Sequence, residues 1–442
     1  MEIKLPMPVQ FILNRLNDYG YEGYIVGGCV RDYIMGVMPH DWDVCTSALP
    51  EQVMDVFKDY KVIPTGIQHG TVSVVLDDTV YEITTYRVDG EYKDNRHPDS
   101  VEFVANLKED LARRDFTINA MAYNDKDGLI DYFGGIDDIK HKLIRCVGLP
   151  KKRFSEDALR IMRALRFAMV FGFDIEGRTS FAMDILADNL NQISIERINA
   201  EITKMLSCLC DKPLQTLLFF EAEVEVGFNK QEYNHYRALY LKMLKYLHII
   251  NYKINGVDYI EKFRRIAKYS ESFLLNLAIT FDSPQIEETL TWLRYSNNVI
   301  AGAKEIYTLG HYLVDEADEW RFDDLTYHAR KLLAKIEHSD YNDVISFAES
   351  LCDNASNSRQ INISISLGTL RANVARCIKN CDVYSLKYLA INGNDLIELG
   401  YKGKQIGEIL NKLLDLVMRD RAKNTRAELL QIVKDGKLNA GI

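Results

Sequence analysis

Four residues near the N-terminus have types and spacing suited to chemistry on phosphate: Gly27, Gly28, Asp41 and Asp43. They sit in the runs Tyr24-Ile-Val-Gly-Gly-Cys-Val-Arg-Asp32 and Pro39-His-Asp-Trp-Asp-Val-Cys-Thr46. Glycines at a strand-to-helix turn let backbone N–H groups approach phosphate oxygens, and the start of a helix favours negative charge. Two carboxylates one residue apart on a strand face the same side and can share divalent cations. Positioning them requires a buried strand ending at Val26, a turn at Gly27-Gly28, a short helix opening with Cys29 and a second strand bearing Asp41 and Asp43. The arrangement predicts a site for a metal-bound nucleoside triphosphate.

The whole chain sets the frame for that site. At 442 residues, 47% hydrophobic and 27% charged, it predicts a folded, soluble protein of several domains with ample core. No apolar run approaches the roughly 20 residues that span a bilayer. The start, Met1-Glu-Ile-Lys-Leu-Pro6, lacks the pattern of a secretory signal, and eight scattered cysteines fit reduced thiols in a cytoplasmic protein. The net charge of −10 argues against a uniformly basic nucleic-acid binder. Basic charge is nonetheless concentrated over Lys151–Arg166 and Lys402–Arg426, which suits a basic track on an acidic body.

The pattern of apolar residues changes near residue 145. Before it, Gly70–Leu76 and Val80–Tyr86 are β-branched runs around Asp77-Asp78, a hairpin signature. After it, stretches such as Phe181–Cys210 and Ser270–Leu293 carry apolar residues at helical spacing. The fold class expected is α+β: a mixed-sheet head with helices, followed by an elongated all-α neck, body and tail. The boundaries expected are 1–145 for a catalytic head, 146–210 for a neck, 211–353 for a body and 354–442 for a tail. Asn354–Arg359 is the best linker candidate.

The run from Gly27 to Asp43 resembles the first motif of the polymerase-β-like nucleotidyltransferases, in the branch that holds tRNA nucleotidyltransferases, the CCA-adding enzymes, and bacterial poly(A) polymerases. The resemblance implies that Asp41 and Asp43 are catalytic and hold Mg²⁺, with Gly28 and Arg31 on the triphosphate. Tyr86–Pro98 is similar to the flexible loop of enzymes that add the terminal A. Arg113-Arg-Asp-Phe-Thr-Ile-Asn119 matches the second motif, which implies that Asp115 contacts the sugar and Arg114 the base or phosphate. Asp131, Gly135 and Asp138 resemble a hinge-like third motif with no catalytic role. Glu82 alternates with Tyr81 and Ile83, so that it either shares the cleft of the two aspartates or forms a surface pair with a lysine, and it is left outside the metal site.

Phe154-Ser-Glu-Asp-Ala-Leu-Arg-Ile-Met-Arg-Ala-Leu-Arg-Phe-Ala168 predicts one helix with Ser155 as N-cap. Asp157, Arg160, Arg163 and Arg166 recur every three residues, and three arginines against one aspartate leave the stripe under-compensated, which points to an anionic ligand. The segment resembles the family's nucleotide-selecting motif. That implies Asp157 and Arg160 on the base, where a carboxylate acceptor and a guanidinium donor suit C and A and reject U and G, with Arg163 and Arg166 toward phosphate.

Lys402, Gly403 and Lys404 form a turn entering a helix, able to offer N–H groups to RNA phosphates. Similarity to the family's tail implies tRNA as the polymeric substrate, with ATP and CTP as donors and no membrane partner. Oligomeric state is left open. The function implied is template-independent addition of CMP, CMP and AMP to the 3′ end of tRNA. Three alternatives stay open: addition of A alone, poly(A) synthesis, and non-catalytic RNA binding.

Overall fold

The structure, a computed structural model, describes residues 2–89, 101–104, 106–212, 229–249, 259–270, 272–321, 324–352 and 358–436. Most of the expected flexible loop, from residue 90 onward, and most of the expected linker, 354–357, lie outside the described residues. Two compact units are present: Met1–Cys208 with Phe220–Ile260, and Leu209–Phe219 with Glu261–Ile442.

The first unit begins with α1 (Met7–Asp18), β1 (Gly23–Val26), α2 (Gly28–Ile34), β2 (Val44–Thr46) and α3 (Pro50–Val56). β3 (Lys61–Gly66), β4 (Thr71–Leu76) and β5 (Thr79–Thr85) then form an antiparallel meander. Its second turn is the expected one: Asp77 and Asp78 both take positive φ, 48° and 60°, as a two-residue hairpin turn requires. β6 (Arg87–Asp89) pairs with β7 (Val101–Phe103). α4 (Leu107–Ala112), β8 (Met121–Asn124), β9 (Gly128–Asp131) and α5 (Gly135–Lys140) complete the head.

Among the described residues, seven strands form one sheet in the order β3-β4-β5-β2-β1-β8-β9. β1 lies between β2 and β8, antiparallel to both, while β2 runs parallel to β5. Both faces are covered, which explains why β1 reads as a continuous apolar run. Ile25, Val44, Val72 and Ile83 pack with Ile12, Leu16 and Phe57 on one side. Tyr24, Val26, Cys45 and Ala122 pack with Tyr86, Leu107, Leu111 and Val147 on the other. Full burial of each such aliphatic side chain contributes about 1.5–3 kcal/mol, so the central strands are firmly placed.

Two local expectations are corrected. Asp41 and Asp43 precede β2, which begins at Val44. Asp43 still joins the ladder through its carbonyl, which accepts from Val26 N–H at 3.0 Å. The predicted single helix over Phe154–Ala168 is instead two: α6 (Pro150–Glu156) and α7 (Leu159–Phe171), separated by Asp157 in extended conformation at φ −142°. The Asp157 carboxylate accepts from Leu159 N–H at 3.0 Å, so an aspartate competes for the backbone and starts the second helix, while Ser155 lies inside the first.

β10 (Leu143–Ile144) and β11 (Asp174–Ile175) pair in parallel, one before α6 and the other after α7. α8 (Gly177–Leu186) and α9 (Ile195–Cys210) follow. Helix Asn229–Ile249 belongs to this unit, with Lys242 bonded to Ser180 and Asp184 and Tyr246 bonded to Asp184.

The second unit is helical among its described residues. Near its end, Leu389, Leu396, Ile409, Leu413, Val417, Leu429 and Val433 form a local core. In the same unit, buried Lys262 donates to the Thr280 carbonyl at 2.7 Å, and Asp282 accepts from Arg265 and faces His311. No described helix is long and apolar enough to cross a membrane.

Candidate active site

Gly27 is the residue on which the head site turns. Its φ of 81° lies in the left-handed region, and a Cβ there would stand 2.8 Å from Arg114 Nη1. A bare glycine therefore both permits the turn and leaves room for a guanidinium beside it. Gly27 N–H donates to Met121 O at 3.2 Å, tying the turn to β8, and Gly28 opens α2. The antiparallel ladder brings Asp43 alongside this turn.

Asp41 and Asp43 are exposed. Protein crowding nevertheless raises the Asp43 pKa above the ordinary carboxylate value; Arg114 opposes the rise and the Asp41 charge adds to it. The two aspartates and Arg114 thus feel one another's charge. No cluster of three or more potential metal-ligating side chains forms among the described residues. Two hard, solvent-accessible carboxylates are a fitting donor set for Mg²⁺, which keeps several waters and takes further ligands from substrate phosphates.

Arg114 is anchored from below. Asp110, at the buried end of α4, accepts from Arg113 at 2.7 Å and from Arg114 at 3.3 Å. Burial alone would raise the Asp110 pKa, but Arg114 and Arg113 hold it below the ordinary range. Arg114 Nε is buried without a hydrogen-bond partner in the protein, so the guanidinium retains unspent donor capacity next to the glycine turn.

Asp115 is the centre of a second network. Its Oδ1 accepts from Phe116 N–H at 2.8 Å and from Asn119 Nδ2 at 3.1 Å. Oδ2 accepts from Arg163 Nε and Nη2 at 2.8 and 2.6 Å. Burial works against ionisation, yet Arg163 and Asn119 hold the Asp115 pKa down at about 2. Asn119 Oδ1 in turn accepts from Arg31 Nη1 at 2.6 Å. Arg31 is itself buried, bonded to Asp32 and set over the rings of Phe167 and Phe171. The structure thus engages Arg31, expected on the triphosphate, with protein groups.

The third motif explains how this network is placed. Asp131 accepts from the N–H groups of Gly135 and Ile136, both at 2.9 Å, and so caps the start of α5. A Cβ on Gly135 would sit 2.3 Å from Thr117 O, so the helix approaches the Thr117–Asn119 turn as only glycine allows. Asp138 accepts from Thr117 Oγ1 at 2.6 Å and pairs with Arg145. These residues set the height of Asp115 and Asn119.

The arginine stripe is compensated, contrary to the expectation of surplus charge. Arg160 pairs with Glu156 at 2.8 Å, Arg163 with Asp115, and Arg166 with Glu201. Arg160 also donates to Arg113 O at 3.1 Å, joining the Asp157–Arg160 segment to the Arg113–Asn119 run. Asp157 accepts from Arg197 at 2.8 and 3.3 Å. The compensating groups Glu201 and Arg197 both lie on α9, and Asp115 is in the head, so a local count of charge along the helix misses them. Arg197, Glu201, Asn119 and Asp110 are the site residues that sequence reasoning overlooked. Lys402, Gly403 and Lys404 lie in the second unit, exposed at the start of helix Lys404–Met418, where Gly403 takes φ 57°.

A mixed sheet presenting a glycine turn and paired aspartates, with an arginine-lined helix following it, defines a nucleotidyltransferase. The Poly A polymerase head domain family matches residues 23–145, and the family described as the probable RNA and SrmB-binding site of polymerase A matches 172–217. The CCA-adding enzyme of Oceanobacillus iheyensis is 53% identical over 194 residues, 44% of this chain and about half (48%) of that protein. That of Ligilactobacillus salivarius is 34% identical over 439 residues, covering 98% of this chain and 96% of the relative. The crystal structure of the Bacillus stearothermophilus CCA-adding enzyme in complex with CTP superposes with a TM-score of 0.67 at 28% identity, covering 99% of this chain and 100% of that one. The chain belongs to the CCA-adding enzyme family.

Proposed function

We propose that this protein adds CMP, CMP and AMP in turn to the 3′ end of tRNA, using CTP and ATP and releasing pyrophosphate. The observation that carries the reading is the convergence of Asp43, Arg114 and the Gly27 turn in the head, one link from the Asp157–Arg160 segment through the Arg160 bond to Arg113 O. The site offers negative donors at one end and guanidinium donors at the other, as a nucleotide held by both its phosphates and its base requires. The full-length likeness to CCA-adding enzymes supports it.

Asp41 and Asp43 are the residues that would hold Mg²⁺, which when bound supplies stabilisation of the attacking 3′-hydroxyl and of the leaving pyrophosphate. Gly27 and Gly28 leave the backbone open to phosphate, and Arg114 offers positive charge beside them. Asp115, Arg163 and Arg31 with Asn119 form the floor against which the sugar rests. Asp157 accepts from the exocyclic amino group that C and A share, and Arg160 supports the base edge. No side chain serves as nucleophile. Lys402, Gly403 and Lys404 contribute to holding tRNA, and the reaction is carried out in the cytoplasm on its soluble substrates.

The test is incubation of the purified protein with Mg²⁺ and tRNA lacking its 3′ end, with CTP or ATP singly and together. Two additions with CTP alone and a third once ATP is present are expected. Failure to extend with CTP alone, together with extension of tRNA already ending in CC by ATP, selects addition of A alone. Long A tracts on unrelated RNA select poly(A) synthesis.

A further inference from the structure

Helix Ser358–Lys379 of the second unit has an inner and an outer face of different character. Ile363, Leu367, Leu370, Val374 and Cys377 are buried, where it packs against helices Leu325–Leu333 and Tyr341–Cys352. The opposite face carries Ile361, Ile365, Gly368, Ala372 and Ala375, all exposed and spaced by four, three, four and three residues. That spacing keeps one line along an α-helix. Ile361 and Ile365 are 50% and 51% exposed, although isoleucine is among the residues most often buried.

Gly368 stands in the middle of this line. Glycine in a helix interior is destabilising relative to alanine, and it suits places where another backbone must come close. A Cβ on Gly368 would meet nothing within 4 Å among the described residues. Packing within the described chain therefore gives no reason for a glycine here. A close approach from outside the chain does.

The two ends of the face differ in charge. Arg376 and Lys379 are exposed at the C-terminal end and continue the same side of the helix. At the other end Arg359 pairs with Asp318 at 2.9 Å, which brings the acidic run Asp315-Glu-Ala-Asp-Glu319 to the start of the helix. An antiparallel second copy satisfies both ends at once. Its basic end meets the acidic run, and its acidic run meets the basic end.

We propose that this face is a homodimer interface, in which two copies pair their Ser358–Lys379 helices antiparallel about a two-fold axis at Gly368. Ile361 of one copy then lies opposite Ala375 of the other, Ile365 opposite Ala372, and Gly368 opposite Gly368. Large side chains meet small ones along the whole contact, and glycine at the axis lets the helices touch. A two-fold contact must be self-complementary, and the stretches on either side of Gly368 are complementary in both size and charge. An RNA backbone would find no side-chain donor on the line from Ile361 to Ala375, so a nucleic acid fits the face poorly.

The test measures self-association of the full chain by sedimentation velocity over a range of concentrations, beside tRNA retention on filters and thermal unfolding. Wild type is expected to pass from monomer to dimer as concentration rises. Gly368→Leu and Ile365→Glu are each expected to weaken association by about 30-fold or more, the scale of a residue at the buried centre of an interface. Leucine is the better helix former, so the unfolding midpoint of Gly368→Leu, measured where both proteins are monomeric, should not fall. Ile378→Glu changes a comparably exposed isoleucine about 100° away around the helix, and should leave association within about threefold. Reversing the basic end with Arg376→Glu and Lys379→Glu weakens association, and adding Asp315→Lys and Glu319→Lys to the same chain restores it.

A wild type that stays monomeric at every concentration overturns the proposal, as does a dimer that tolerates both Gly368→Leu and Ile365→Glu. Loss of tRNA retention by Gly368→Leu with association unchanged assigns the face to RNA and overturns it as well. If the face variants do not fold, the charge-reversed chains decide: association indifferent to both sets of charges overturns the proposal.

Discussion

Arg163 donates through both Nε and Nη2 to a single oxygen of Asp115, 48 residues away in sequence. The bond ties the helix that follows the head to the turn that carries the second motif. Because Asn119 and Arg31 continue the chain of bonds, one carboxylate organises residues from three separate motifs.

Replacing Asp115 by Asn keeps the shape of the side chain and removes its charge. The Asp115 pKa is held at about 2 against an ordinary 3.8, so the stability it contributes is fully present above about 3.8 and is lost as pH falls toward 2. Wild type is expected to exceed Asp115→Asn by about 1–2 kcal/mol at neutral pH, with the gap closing below pH 4. Urea unfolding of both proteins across pH 2–7 checks this; a gap constant across that range contradicts the assignment.

Asp43→Ala is expected to lower incorporation of both CMP and AMP on the order of 10²–10³-fold or more, the scale of removing a group that stabilises the transition state. tRNA binding, measured by filter retention, is expected to stay within about twofold, since Asp43 and the basic residues Lys402 and Lys404 belong to different compact units. Chelation of divalent cations should abolish wild-type turnover and leave binding in place. Substantial turnover by the Asp43→Ala protein would remove the aspartates from the metal site.

Gly135→Ala places a methyl group where Thr117 O already stands, 2.3 Å away. The backbone must move, at a cost of about 1–3 kcal/mol, and the movement passes to Asp115 and Asn119. A fall in the midpoint of thermal unfolding, accompanied by a raised KM for CTP and ATP, is the expected result. Gly134→Ala serves as a contrast, because its φ of 78° is strained but nothing lies within 4 Å of the added carbon. It should lose stability with less change in KM.

Lys262 is almost fully buried, and desolvation lowers its pKa to about 8 from an ordinary 10.5. The unfolded chain binds more protons than the folded one between those values, so stability gained by deprotonation rises with pH across that window. Lys262→Met lacks this dependence, so the stability difference between the two proteins is expected to shift in favour of wild type from pH 8 to 10.5. Paired thermal unfolding curves at pH 7, 9 and 10.5 measure it. A difference independent of pH would mean that the lysine has the same pKa in the folded and unfolded chains.

The sequence was most legible where structure is local. The Asp77-Asp78 turn, the apolar run of β1 and the glycine pair at positions 27 and 28 all follow from residue types within a few positions of one another. It was least legible where a side chain finds its partner from afar. Asp157 breaks the predicted helix because Leu159 N–H and Arg197 both compete for it, and Arg197 is invisible to any window centred on the helix. The arginine stripe looked unpaired for the same reason: Asp115 and Glu201, which pair Arg163 and Arg166, lie 48 and 35 residues away. Asp41 and Asp43 were recognised from their spacing, although the strand expected to carry them starts one residue later.

The parallel pairing of Leu143–Ile144 with Asp174–Ile175 joins the chain on either side of α6 and α7. The segment between those strands begins and ends at neighbouring points of the fold. An excursion with its ends already joined adds little to loop-closure entropy when its contents are exchanged. The segment from Arg145 to Phe173 is therefore held at its two ends as well as through its middle, where Arg160 and Arg163 bond back to Arg113 O and Asp115, so an exchange of its sequence that keeps those bonds leaves the sheet undisturbed.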